Sequence, residues 1–301
     1  MRISVWPSYE RSWQETLDVA HFAEAHGLDG FWYADHLMPH RPDDAVHDGD
    51  ALECWTVLSA IGALVPRVRL VSMVSPVTIH HPVLLAKKAV TTDHVSGGRA
   101  VLGMGAGWQV NEHTAYHFEL PAPGPRVSRF EEAIQLVRQL TSQRRTTFHG
   151  AHYAVDDAPF APKPVGRLPI LVGTGSPRML RITARHADEW NTWGDPTEVR
   201  RRTDLFLAAC DTVGRDPSTV RRSAQALVFL TDGSTTPPDP SLAMPGRSLV
   251  GGPDQLVEML GQYRDMGVDE FAVPDFTLGA TPVQRADTLA ALHDQVLRHF
   301  L

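Results

Sequence analysis

Long apolar runs are missing from this chain. No stretch approaches the roughly 18 residues that a membrane-spanning helix needs, which argues against a helical span. Cysteine is scarce: Cys54 and Cys210 are the only two in 301 residues, and each lies in an apolar-periodic segment. Two isolated cysteines build neither a disulfide framework nor a zinc site, and they suit a reducing, cytoplasmic setting. No secretory leader is visible, because Met1 runs straight into the strand-like Arg2-Ile3-Ser4-Val5-Trp6. Basic charge is also short. Lys and Arg number 28 against 35 Asp and Glu, a formal net charge of -7. The single dense basic cluster, Arg200-Arg201-Arg202, falls in a helical pattern and reads as a solvated face. Nucleic acid and anionic membrane surfaces are therefore poor partners. Internal repeats and domain-boundary linkers are absent too. The remaining profile, 43% hydrophobic and 21% charged, is that of an ordinary globular chain.

Strand and helix patterns alternate along the chain at spacings of about 30 residues, as in a parallel sheet with crossover helices. Strands are expected at Arg2–Trp6, Asp29–Ala34, Val68–Val74, Ala100–Gly105, Pro169–Gly173, Asp188–Asn191, Arg221–Leu230 and Glu270–Pro274. Ser12 reads as the cap of a first helix that Gly27 ends. Leu52–Leu64 is the second helix, and Pro82 opens another at the first-turn position where proline is tolerated. Val127, Phe130, Ala133, Ile134, Val137 and Leu140 share one face of a helix over Arg126–Leu140. Ser176 should cap the next helix. Helices also fit Thr197–Val213, the segment after Gly252, and Thr281–Phe300. Residues 141–168, with a hairpin around Thr146–Val155, read as an insertion. The sum is eight strand–helix pairs in one domain over residues 1–301. A TIM (β/α)8 barrel is the expected α/β fold, with a doubly wound open sheet as the alternative.

The stretch Arg99–Tyr116, RAVLGMGAGWQVNEHTAY, is the most telling. A short buried strand breaks into Gly105-Ala106-Gly107, which lets a ligand approach backbone N–H groups. Trp108, Glu112 and His113 follow. In a barrel, all strand C-termini open on one mouth. The residues expected there are Trp6, Asp35, His36, Met73, Val74, Ser75, Gly105–Trp108, Gly173-Thr174-Gly175-Ser176, Asn191, Thr192, Trp193, Pro274 and Asp275. Gly173–Ser176 runs into a helix and so offers free N–H groups and the positive end of a dipole to a phosphate.

Five segments carry a family resemblance: Gly27–Leu37, His80–Arg99, Gly103–Tyr116, Ala158–Val165 and Pro169–Asn191. With SGGR followed by GAGWxxxEH, the chain resembles the luciferase-like monooxygenase superfamily, in its F420-dependent oxidoreductase branch. The likeness covers most of the first 195 residues and thins beyond them. It implies a luciferase-like barrel binding F420 or FMN at its mouth. It places the phosphate near Ala106–Trp108 and Gly173–Ser176. The ring would rest on a bulge at Met73–Val74, where a non-prolyl cis peptide is common in the family. The implied cofactor-binding set is Trp6, Asp35, Met73, Val74, Gly105, Ala106, Gly107, Trp108, His113, Gly173, Thr174, Gly175, Ser176 and Asn191. His36 would be the general acid or base, with Asp35 orienting it or meeting the ring. Glu112 is expected in a cap or ion pair.

Two departures are visible. In the family's sugar-phosphate branch an acid stands where this chain has Trp108, and a tryptophan where it has His40. That particular chemistry is therefore not carried over. His36, His40 and His47 match no metal-ligand spacing, so no metal is expected. The functional expectation is hydride transfer between F420 and a small organic substrate. The alternative is an FMN-dependent monooxygenase fed by a separate reductase, and a third reading is a flavin-binding barrel without turnover. Arg178, Lys87 and Lys88 are candidate rim cations for the F420 tail. The resemblance also implies a homodimer or larger homo-oligomer.

Overall fold

A computed structural model describes residues 1–301. Eight parallel strands form the central sheet. They are β1 (Arg2–Trp6), β2 (Gly30–Tyr33), β3 (Arg69–Ser72), β4 (Ala100–Gly105), β5 (Ile170–Gly173), β6 (Glu189–Trp193), β7 (Arg221–Gln225) and β8 (Glu270–Pro274). Each pairs with the next, and β1 pairs with β8 from Arg2↔Glu270 to Trp6↔Pro274. The sheet is therefore closed, a TIM barrel. Ser75–Pro76 adds a short pairing beside Met104 and Gly105.

The surrounding helices are α1 (Trp13–Ala25), α2 (Cys54–Leu64), α3 (Pro82–Ser96), α4 (Val110–Ala115), α5 (Pro123–Ser142), α6 (Pro177–His186), α7 (Pro196–Val213), α8 (Pro253–Asp265) and α9 (Pro282–Gln295). Their starts follow local chemistry. Ser12 Oγ accepts from the Glu15 N–H, and Asp195 Oδ1 accepts from the Glu198 N–H. Each satisfies one of the backbone donors that a helix leaves without a partner. Gly97 ends α3 at φ +69°, a conformation that glycine adopts without steric cost. No helix is long and apolar enough to cross a membrane.

Three expectations change. Strand seven does not run from Arg221 to Leu230. It leaves the barrel after Gln225, and Leu227–Leu230 pairs instead with Ser248–Gly251 in a separate two-stranded parallel sheet. Its apolar run is continuous, so nothing in it marks the change of partner. Helix α5 starts at Pro123 rather than Arg126, since proline fits a first turn. The short helix α4 was not among the expected elements. The expected hairpin is present, with Arg145–His149 antiparallel to Ala154–Pro159.

Ionic groups close the barrel floor, where the strands begin. Glu270 is fully buried. It meets Arg69 Nη1 at 2.6 Å and Arg221 Nη2 at 2.9 Å. It also accepts from Ser4 Oγ at 2.5 Å and Trp32 Nε1 at 2.9 Å. Glu189 takes the other arm of Arg69 at 2.6 Å. Burial alone would raise the Glu270 carboxyl, but Arg69 and Arg221 bring it below the ordinary range. Glu189 shares Arg69 and feels Glu270, and burial leaves it above that range. A polar cavity of about 810 Å³ opens at this face beside Arg2, Asp29, Arg221 and Asp269, away from the mouth.

Glu270→Gln leaves two half-buried guanidinium groups short of charge around a fully buried site and should cost about 3–5 kcal/mol at pH 7. Because the folded carboxyl lies below its unfolded value, its stabilisation is present above the unfolded pKa and fades as acid titrates the folded group. Denaturant unfolding of both proteins from pH 7 downward should show the gap narrowing. Equal stability at pH 7 would remove the network from the fold's energetics.

Candidate active site at the barrel mouth

Glycines create the platform at the mouth. The Met73–Val74 peptide is cis, as the family resemblance implied. A Cβ at Gly103 would overlap the Ser72 carbonyl oxygen, and one at Gly105 would lie 2.6 Å from Val74 Cγ2. A Cβ at Gly173 would be 3.1 Å from Met73 Cε. Strands β4 and β5 thus give up side chains so that the bulge after β3 can lie across them. The expected platform at Gly105–Gly107 has neighbours packed on its glycines. Gly105 lies against Val74, and Gly107, at φ +91°, packs on Thr78. Ala106 is half-buried between them.

His36 follows β2. Its Nδ1 lies 3.0 Å from Glu112 Oε1, while Glu112 Oε2 accepts from the Leu37 N–H at 2.7 Å. Glu112 is almost completely buried, on α4. The partner of Glu112 is therefore His36, and Nε2 of His36 keeps no protein partner. Trp108, 53% exposed, meets the rings of His36 and His40 edge-on, with centroids 5.5 and 4.8 Å apart. Tyr9 packs on His36 from another side. Burial pushes the Tyr9 phenol up to about 12, so it stays neutral near pH 7.

Asp35 does not orient His36. It is 2% exposed and accepts from Ser75 Oγ at 2.5 Å and His80 Nε2 at 2.9 Å. The backbone turns successive side chains apart after β2, so the two neighbours serve different partners. His113 is likewise sealed in, between the Gln109 carbonyl at 2.6 Å and Thr78 Oγ1 at 2.8 Å. It supports the Gly107 loop rather than offering a free nitrogen. Asn191 donates to Ser223 Oγ and Gln225 Oε1, at 3.0 and 2.6 Å.

Gly173, Thr174, Gly175 and Ser176 lead into α6. Ser176 makes no capping bond, contrary to expectation, so the first amides of α6 lack a side-chain acceptor. Arg202 lies beside this loop, its Nη1 2.8 Å from where a Gly175 Cβ would stand. The sequence reading had placed Arg202 on a solvated face. It is half-buried and tethered to Glu198 at 2.6 Å. The rim cations expected for a tail are engaged elsewhere. Arg178 reaches Ser128 and the Gly124 carbonyl, Lys87 the Ala161 carbonyl, and Lys88 Glu53. Across the mouth, Trp6 meets Trp193 and Phe276 edge-on at 5.5 and 5.1 Å. The buried indole N–H groups of Trp6 and Trp193 have no partner.

Fold and site together define a barrel whose mouth is floored by a cis bulge and flanked by a carboxylate-held histidine. The chain belongs to the luciferase-like monooxygenase family, whose model matches residues 1–236. A Kineococcus radiotolerans protein named F420-dependent glucose-6-phosphate dehydrogenase is 35% identical over 172 residues, 57% of this chain and 50% of the relative. The chain thus spans about half the length of such curated relatives. Among solved structures, an F420-dependent tetrahydromethanopterin reductase from Methanopyrus kandleri superposes with TM-score 0.82 at 14% identity, covering both chains fully. A monooxygenase from Streptomyces bottropensis gives 0.83 at 20% identity, again over both whole chains. At these identities the two structures bear on the fold alone.

Gly103→Ala forces the Ser72 carbonyl aside and should destabilise the protein by about 1–3 kcal/mol or more through overpacking. Thermal and denaturant unfolding measure it. A neutral substitution would mean that the bulge does not depend on this glycine.

Proposed function

We propose that this protein is an oxidoreductase that moves a hydride between the deazaflavin F420 and a small organic substrate. In this reading residues 1–301 act as one barrel domain, with 141–168 as its insertion. The observation that carries the reading is His36: Glu112 holds one ring nitrogen and leaves the other open at the mouth. A carboxylate at one nitrogen fixes the ring and makes the other a competent proton acceptor.

The residues fit a flat tricycle with a phosphate-bearing chain. Met73–Val74 supplies a raised floor that flanking glycines leave clear. The uncapped start of α6, with Arg202 beside it, supplies donors and charge for a phosphate. Trp6 and Trp193 supply unpartnered N–H donors. When bound, F420 supplies the site that accepts or gives the hydride. His36 holds the proton that leaves or joins the substrate oxygen, and Trp108 shields that exchange from solvent.

The curated F420-dependent relatives favour F420 over FMN. The two cofactors share their ring core and first phosphate, so the site geometry accommodates both. An FMN-dependent monooxygenase would draw on a separate reductase. A cytoplasmic location and a homo-oligomer remain part of the proposal.

Titration with F420 and with FMN, each oxidised and reduced, tests the cofactor. Tighter binding of F420 is expected. Tighter FMN binding in both redox states moves the protein to the monooxygenase reading, and no binding of either revives a barrel without turnover. Gly175→Glu crowds Arg202 and adds negative charge, so it should weaken cofactor binding at least tenfold while the protein stays folded. Unchanged affinity would take the loop out of the site. With a substrate that the wild type turns over, His36→Asn should cut the rate by roughly 10²-fold, with cofactor affinity little changed. Full activity would reduce His36 to a structural residue.

A further inference from the structure

A second carboxylate–histidine pair stands at the mouth, and the proposed chemistry does not use its histidine. His80 lies in the segment after the bulge, buried to 9% exposure. Its Nε2 is held by Asp35 Oδ2 at 2.9 Å, and Asp35 is fixed in turn by Ser75 Oγ. Trp55 Nε1 donates to Ser75 Oγ at 3.0 Å, so the chain of bonds is anchored in the wall of the barrel. Nδ1 of His80 has no partner in the protein and is not among the sealed, unpartnered atoms. It is the open end of the pair. Residues 75–80 sit between the loop of β2, which carries Asp35, and the loop of β4, where Thr78 packs on Gly107.

We infer that His80 is a second proton-exchanging residue, meeting the bound cofactor through Nδ1, and that Asp35 is its positioning residue. The inference rests on the oxidoreductase reading above. Oxidation of a carbinol breaks a C–H bond, whose electron pair leaves with the hydride, and an O–H bond, whose proton goes to His36 Nε2. The hydride leaves one unit of negative charge on its acceptor. With His80 carrying a proton on both nitrogens, its Nδ1–H would supply the proton that neutralises this charge; His80 would then regain a proton from solvent while His36 releases one to it. Burial alone would raise the Asp35 carboxyl, but the charge of His80 and the bonds from His80 and Ser75 bring it below its ordinary value. Asp35 therefore stays anionic opposite Nε2 of His80.

The test combines imidazole ¹⁵N NMR with a variant. In the free protein the neutral His80 ring should carry its proton on Nε2, and Asp35→Asn should erase that preference. Adding F420, or FMN if that binds instead, should shift His80 Nδ1 and leave His113, whose nitrogens are both occupied, unmoved. His80→Asn keeps an N–H donor for Asp35. It should melt near the wild type, bind cofactor within about fivefold, and lose roughly 10²-fold in single-turnover hydride transfer. Cofactor binding with a silent His80 resonance, or an active His80→Asn protein, overturns this inference alone. Failure of both cofactors to bind overturns it together with the reading it rests on. If the variant does not fold, the wild-type spectra decide.

Discussion

The close contact between Gly103 and the Ser72 carbonyl is the constraint from which the mouth of this barrel is built. A regular β3 would end pointing along its neighbours. Because β4 carries no side chain at 103 or 105, the chain after β3 crosses over it, and Val74 lies where two side chains would have stood. The crossing has two consequences. It raises a floor under any flat ligand, and it sends residues 75–80 back toward β2, where Ser75 and His80 reach Asp35. Packing at one glycine thereby bears on the placement of Asp35 and His80, which lie far from it in sequence.

Charge is distributed unevenly between the two ends of the barrel. At the floor, Arg69, Arg221, Glu270 and Glu189 satisfy one another, and the network is a structural closure. At the mouth Glu112 and Asp35 each hold only one nitrogen of a histidine, so an imidazole nitrogen stays available on both His36 and His80. A barrel separates stability from chemistry in this way, because strand starts and strand ends lie on opposite faces. Within that network Oε2 of Glu189 is buried without a hydrogen-bond partner.

Much of this was legible in the sequence, and the limits are physical. Strand ends were readable because glycine, proline and polar residues punctuate apolar runs, so the mouth residues could be named before any coordinates. The cis bulge at Met73–Val74 followed from resemblance, since no local pattern announces it. What the sequence could not show was which side chain meets which. Asp35 and His36 are adjacent and read as a pair, yet Asp35 pairs across 45 residues and His36 across 76. Arg202 looked like one more charge on a helix face, and only the packing of α7 against the β5 loop brings it to Gly175. Gly105-Ala106-Gly107 suggested an anion platform, while the packing shows Gly105 leaving room for Val74 and Gly107 for Thr78. The departure of strand seven at Gln225 was hidden because the apolar pattern continues through it.

The most direct test of this account is a structure of the protein with oxidised F420 bound. The ring should lie on Met73–Val74 with its phosphate at Gly173–Ser176 and Arg202, and His36 Nε2 should face the space left for substrate. A ring bound away from the bulge, or with His36 turned from the ligand, would contradict it.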